Sequence, residues 1–140
     1  MKHAVALPTD LILGYQSWKK DGFERQSSRY LELAEKGQSP SAMVISCCDS
    51  RVQATEIFGT GSGEFFLHRN VANLVPPYAP NSDFHGTSAA VEYAVKALKV
   101  QHLIVLGHSQ CGGVQACYDM CSDGVSAEEV EFEFVGHWLE

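Results

Sequence analysis

Residues 102–113, HLIVLGHSQCGG, join a short apolar run to a histidine and a cysteine that lie between glycines. The apolar run predicts a buried β-strand, and the residues that follow, GGVQACYDMC, predict the start of a helix. His108 and Cys111 come directly after the predicted strand, and both side chains are common metal ligands. Two ligands do not complete a metal site, so further ligands must come from elsewhere in the chain.

The rest of the chain alternates predicted strands with predicted helices. Residues 41–48 form a second apolar run that predicts a buried strand, and residues 63–69 predict another strand. Residues 86–100 carry apolar side chains at a helical period, and residues 9–37 predict two polar-rich helices with a break near residues 21–22. This alternation predicts an α/β fold, with a mostly parallel sheet flanked by helices and an N-terminal helical arm.

The composition excludes several classes of function. The chain has 140 residues, a net charge of −7 at pH 7 and no block of basic residues, so we expect neither a nucleic-acid partner nor a membrane partner. No stretch approaches the roughly 18 apolar residues of a membrane span. The N-terminal residues do not form a signal peptide, so we expect a single cytoplasmic domain. Five cysteines without an export signal favour metal binding or catalysis over disulfides.

A second strand end carries comparable chemistry, in the sequence CCDSR at residues 47–51. In an open parallel sheet, ligands gather beyond the carboxyl ends of the strands. Side chains alternate along an extended chain, so Cys47, Asp49 and Arg51 tend to lie on one side and Cys48 on the other. This alternation favours Cys47 as the third ligand, with a carboxylate and a guanidinium beside it.

The motifs CCDSR and GHSQCGG together resemble those of the β-class carbonic anhydrases. The segments HRNVANLVPPY and GTSAAVEYAVKALKV extend the resemblance over about residues 30–120. The resemblance implies a catalytic zinc ion, Zn2+, held by Cys47, His108 and Cys111, together with a dyad of Asp49 and Arg51. It also implies the reversible hydration of carbon dioxide to bicarbonate and a proton by zinc-bound hydroxide. Asp49 would orient that hydroxide, and a bidentate clamp from Arg51 would keep the carboxylate off the zinc.

A substrate pocket of the plant-type branch of the family is implied as well. Gln38 stands nine residues before the ligand cysteine, where its amide would donate a hydrogen bond to a substrate oxygen. Phe66, Val71 and Tyr93 fall at the apolar walls of that pocket, some of which the neighbouring protomer would supply. Val44 stands where the other branch has the tryptophan of an inhibitory bicarbonate site, so we expect no such inhibition.

The resemblance also suggests how the single domain, residues 1–140, is organised. It implies a helical dimerisation arm at 1–40, a zinc-binding core at 41–125 and the start of a truncated C-terminal region at 126–140. A homodimer or larger homo-oligomer is expected, in part because the apolar residues of FEFVGHWL, 132–139, are seldom left in water. Two alternatives stay open: a hydrolase of carbon disulfide or carbonyl sulfide on the same scaffold, and an inactive zinc-binding module.

Overall fold

A parallel sheet of three strands carries both motifs in the computed structural model, which describes residues 5–81 and 86–140. The strands are β1 (Ala42–Cys47), β2 (Phe65–Asn70) and β3 (His102–Leu106), in the spatial order β2-β1-β3. Both β2 and β3 pair in parallel with β1. Helices precede the sheet and connect its strands, so the predicted α/β fold class is confirmed.

Six α-helices accompany the sheet in the described residues. They are α1 (Thr9–Ser17), α2 (Glu24–Lys36), α3 (Ala54–Ile57), α4 (Gly86–Glu92), α5 (Gly112–Asp123) and α6 (Glu133–Leu139). Single turns of other helix types are Trp18–Phe23, Val71–Asn73, Tyr93–Ala97 and Ala127–Glu129. None of the helices in this part of the chain is long and apolar enough to cross a membrane.

The chain divides into two compact units, Met1–Gln38 and Ser39–Glu140. In the first unit, the predicted break near residues 21–22 is wrong: a π-helical turn, Trp18–Phe23, carries the helix from α1 into α2. A Cβ atom at Gly22 would lie 2.8 Å from Cδ1 of Trp18, so the glycine makes room for the indole ring. That close approach is the physical reason for glycine at this position, and it does not interrupt the helix.

In the second unit, β1 is the central strand and every one of its residues is buried. Met43 and Ile45 pack with Ala94, which follows α4, and with the partly buried Phe66 of β2. A strand covered on both faces is expected to be continuously apolar, which is the pattern of this stretch. Here the prediction of a buried strand is confirmed.

The third strand differs from the prediction of a buried strand. Leu103 and Val105 of β3 are 51% and 56% exposed, although they pair with the buried Met43 and Ile45. In the described residues β3 is an edge strand, and the cover that buries Met43 and Ile45 leaves the neighbouring side chains accessible. The apolar side chains of β3 predicted that the strand would be covered. Such a pattern does not identify the element that would cover it.

The apolar chain end is covered on one side. Leu139 is buried, and the partly buried Val135 and Trp138 pack against the same cluster. Phe132 and Phe134 are exposed. One apolar face of helix α6 therefore packs into the cluster of the second unit, whereas Phe134 and Phe132, which precedes the helix, stay accessible.

Candidate metal centre

The two sequence motifs meet at the carboxyl ends of neighbouring strands. Cys47 is the last residue of β1, whereas His108 and Cys111 follow the end of β3, which pairs directly with β1. One possible ligand atom from each of the three side chains lies within 4.8 Å of the other two. The Sγ atoms of Cys47 and Cys111 are 3.9 Å apart. This geometry can hold a metal ion.

The orientation of the histidine ring suits a metal ligand. Nδ1 of His108 lies 3.0 Å from the carbonyl oxygen of Ser109. Because a carbonyl oxygen only accepts, Nδ1 carries the proton in the neutral ring and Nε2 is left with a lone pair. Nε2 is buried and has no hydrogen-bond partner among the described residues. A buried ring nitrogen without a partner, beside two cysteines, fits a metal ligand.

The environment of Cys47 favours the thiolate. Burial raises the pKa of this thiol, but hydrogen bonds from the backbone N–H groups of Asp49 and Ala72, together with the neighbouring ligand side chains, outweigh burial and lower the pKa to about 7. The thiolate is the form of cysteine that binds a metal. The surroundings of Cys47 therefore favour the form of its side chain that would bind a metal.

A clamped carboxylate lies beside the three candidate ligands. Nε and Nη2 of Arg51 donate to Oδ1 and Oδ2 of Asp49 at 2.9 and 2.8 Å, and the backbone N–H of Arg51 donates to Oδ1 at 2.9 Å. These bonds hold the pKa of Asp49 well below its usual range. Oδ2 is 4.0 Å from Nε2 of His108. The carboxylate is thus ionised and lies next to the candidate ligands.

The same guanidinium joins the two motifs. Nη2 of Arg51 also donates to the carbonyl oxygen of Gln110 at 3.2 Å. Gln110 lies between His108 and Cys111, so one side chain fixes Asp49 and the second ligand loop at once.

Two further polar residues at the end of β2 support the site, and sequence reasoning missed both. Nε and Nη2 of Arg69 donate to the carbonyl oxygens of Cys47 and Asp49 at 3.0 and 2.7 Å. The side chain of Asn70 exchanges two hydrogen bonds with the backbone of Leu74, at 2.8 and 2.9 Å. The available signal was their position, since they end the strand next to β1 just as Cys47 ends β1 itself.

Replacing Arg69 with leucine is expected to destabilise the chain by about 2 kcal/mol, because hydrogen bonds from a charged donor contribute about 1.5–3 kcal/mol. Urea unfolding of the metal-free protein measures the change. Lys96→Leu is the matched control, since Lys96 is exposed and pairs with Glu92 at the surface, so its replacement should change stability little. Equal destabilisation by the two variants would contradict the role given to Arg69.

Two of the predicted pocket residues are in contact with each other. The rings of Phe66 and Tyr93 pack together with centroids 5.7 Å apart. Val71 follows β2 and is partly accessible. Gln38 is exposed at the end of the first unit. Their roles as pocket walls or substrate donors stay predictions.

An α/β fold with a Cys-His-Cys cluster at its strand ends defines the class of protein, and comparison with known proteins names the family. The family model described as Carbonic anhydrase matches residues 42–140. The chain is 38% identical over 130 residues to beta carbonic anhydrase 5, chloroplastic, from Arabidopsis thaliana. The match spans 93% of this chain and 40% of that relative. The chain belongs to the β-class carbonic anhydrases, which confirms the family that the two motifs predict.

Solved structures of this class superpose on the same fold. The β-carbonic anhydrase CcaA matches with a TM-score of 0.80 and 33% identity, over 94% of this chain and 55% of that protein. Tetrameric β-carbonic anhydrases from Sordaria macrospora match with a TM-score of 0.66 and 27% identity, over 94% of this chain and 73% of the relative. The chain therefore spans about half the length of the Arabidopsis and CcaA relatives.

Proposed function

We propose that this protein is a zinc-dependent carbonic anhydrase that interconverts carbon dioxide and bicarbonate. One observation carries the proposal: ligand atoms of Cys47, His108 and Cys111 converge beside a carboxylate that Arg51 clamps, and Nε2 of His108 has no hydrogen-bond partner in the part of the chain that the structure describes. Zinc prefers four-coordinate sites of nitrogen and sulfur ligands, and catalytic zinc sites use three protein ligands and keep one position open. The donor set of this site fits that description.

Each site residue has a distinct task in this proposal. Cys47, His108 and Cys111 would hold the zinc, which when bound supplies the Lewis acidity that activates water at neutral pH. Asp49 would accept a hydrogen bond from the attacking water and orient the oxygen lone pair toward the substrate carbon. Arg51 keeps both carboxylate oxygens engaged, so that Asp49 is restrained from becoming a fourth ligand. Bicarbonate leaves, and the proton passes to buffer.

Stopped-flow measurement of carbon dioxide hydration by the purified 140-residue chain, with its zinc content determined in parallel, tests the function. We expect about one zinc per chain and hydration that a chelator abolishes. Stoichiometric zinc without hydration would contradict the proposal and favour an inactive zinc-binding module. Hydrolysis of carbon disulfide or carbonyl sulfide without hydration of carbon dioxide would contradict it in favour of the other substrates.

We also expect no cooperative inhibition by bicarbonate. Val44 is fully buried in the middle of β1, where the regulated branch of the family would present a tryptophan to an inhibitory anion. Hydration rates measured against bicarbonate concentration near pH 7 should fall, if at all, without a sigmoidal dependence. A sigmoidal loss of activity would overturn this expectation.

A homodimer or larger homo-oligomer is proposed as the working form, with the helices of residues 1–40 as its arm. The exposed apolar side chains Leu103, Val105, Phe132 and Phe134 support self-association, and the Sordaria relatives are named as tetramers. Sedimentation at micromolar concentration should show a dimer or larger species. A stable monomer that hydrates carbon dioxide would contradict the proposal.

The expected cytoplasmic location stays a prediction. The Arabidopsis relative is named as a chloroplastic enzyme, which is a statement about that protein.

A further inference from the structure

Helix α6 contributes to the buried apolar cluster that contains two of the proposed metal ligands. Leu139 is buried in the same apolar cluster as Cys47 and Cys111, and Trp138 packs against that cluster. Part of what surrounds the proposed ligands therefore comes from a helix that begins more than 20 residues after Cys111.

One hydrogen bond connects this helix to the turn that follows β2. Nε1 of Trp138 donates to the carbonyl oxygen of Val71 at 2.9 Å. The indole nitrogen of tryptophan can only donate, so the direction of this bond is fixed. Val71 begins the turn Val71–Asn73, and its carbonyl is the point at which α6 holds that turn.

The backbone of this turn is in a conformation that residues other than glycine seldom adopt. Ala72 has φ 64° and ψ 15°, and Asn73 has φ 48°. Such left-handed residues persist where the surrounding structure holds them in place. Here the Asn70 side chain fixes one end of the turn through Leu74.

Helix α5 approaches the same turn closely. A Cβ atom at Gly113 would lie 2.9 Å from Cβ of Ala72 and 3.1 Å from Cγ1 of Val71. Glycine at this position is what allows the backbone of α5 to come so near. The turn is therefore confined by α5 on one side and held through its first carbonyl by Trp138.

The turn in its held position touches a proposed ligand. Ala72 is fully buried in the cluster that contains Cys47, and its backbone N–H is one of the groups that lower the pKa of the Cys47 thiol. Hydrogen bonds to metal ligands fix their orientation and tune the metal, and their loss costs roughly 10–100-fold in metal affinity. A group that positions Ala72 therefore affects the metal indirectly, through Cys47.

We infer that Trp138 is a positioning residue for the proposed metal ligand Cys47, because its indole N–H holds the Val71–Asn73 turn and so keeps Ala72 packed with Cys47 in their shared buried cluster. This inference rests on the proposed zinc site. The indole N–H is the one donor of the Trp138 side chain, and the indole ring also packs against the buried cluster.

Metal affinity and the spectrum of the cobalt-substituted protein test the inference. Trp138→Phe keeps an aromatic ring and removes the donor, so we expect zinc affinity about tenfold weaker by chelator competition. We also expect a shift of the thiolate-to-cobalt charge-transfer band, which a loss of stability alone would not produce. Trp18→Phe is the matched control, since Trp18 belongs to an aromatic cluster of the first unit, and both quantities should stay at their wild-type values.

The outcomes separate this inference from the proposed function. A wild-type chain that binds no zinc would refute the proposed metal site, and the inference with it. A wild-type chain that binds zinc, alongside a folded Trp138→Phe variant with unchanged affinity and spectrum, would refute the inference alone. If Trp138→Phe does not fold, 3-benzothienylalanine at position 138 keeps the bicyclic shape and lacks only the N–H. The same loss of affinity in that protein supports the inference, and wild-type affinity overturns it.

Discussion

A Cys111→Ser variant is expected to bind zinc at least about 100-fold more weakly than the wild-type chain. Cys111 is buried with its sulfur 3.9 Å from that of Cys47, and a serine hydroxyl is a far poorer zinc ligand than a thiolate. Loss of a hydrogen bond to a ligand already costs about 10–100-fold, so loss of the ligand itself should cost at least the upper value. Zinc at 100 times its dissociation constant stabilises a folded protein by about 2.7 kcal/mol, and the variant should lose most of that stabilisation.

Zinc content by elemental analysis and urea unfolding with and without zinc measure both effects. Cys121→Ser provides the matched control: Cys121 is an exposed thiol of α5, outside the cluster, and its variant should keep one zinc per chain. If Cys111→Ser retained stoichiometric zinc with wild-type affinity, the ligand assignment would be wrong.

Arg51→Ala is expected to lower kcat/KM for carbon dioxide by about 100-fold or more while zinc content stays near one per chain. Positioned acid–base groups contribute about 10²–10⁴-fold to rates, and Asp49 depends on Arg51 for its orientation. Without the two side-chain bonds at 2.9 and 2.8 Å, the carboxylate is free to turn toward the metal and away from the substrate. Steady-state hydration kinetics with parallel zinc analysis measure the effect.

A double-mutant cycle decides whether the dyad acts as one unit. Asp49→Ala should be impaired to a similar degree, and the double variant should be little worse than either single variant. Arg51→Lys keeps the positive charge but loses the bidentate geometry, so it should recover only a small part of the activity. Losses that multiply across the cycle would show that the two residues work independently.

Local patterns were sufficient for the centre of the sheet and for the meeting of the motifs. The unbroken apolar run that predicts β1 is what a strand covered on both faces requires, and β1 is buried throughout. The side-chain alternation that separates Cys47 from Cys48 also holds, because Cys47 is buried in the cluster and Cys48 is exposed. Both predictions depend on the immediate neighbours of a residue.

Structural features that depend on residues far apart in the chain could not be predicted from the sequence. Whether Leu103 and Val105 are covered depends on which elements pack against β3, and an apolar pattern does not name them. The bond from Trp138 to Val71 joins residues 67 positions apart, and no spacing rule connects them. The left-handed conformation of Ala72 could not be predicted either, because alanine seldom adopts it and only tertiary contacts select it.

The separation of the ligands along the chain has a consequence for the order of folding. Cys47 and Cys111 are 64 residues apart, and they meet only after β1 and β3 have paired in parallel. Such non-local pairing carries a loop-closure entropy before any contact compensates it, and folding slows as contacts become more distant in sequence. A chain that is still emerging from the ribosome, or one trapped before β3 docks, therefore holds at most part of the ligand set. Tight zinc uptake by the three proposed ligands would then be a late event in maturation, and its rate would report when the sheet is complete.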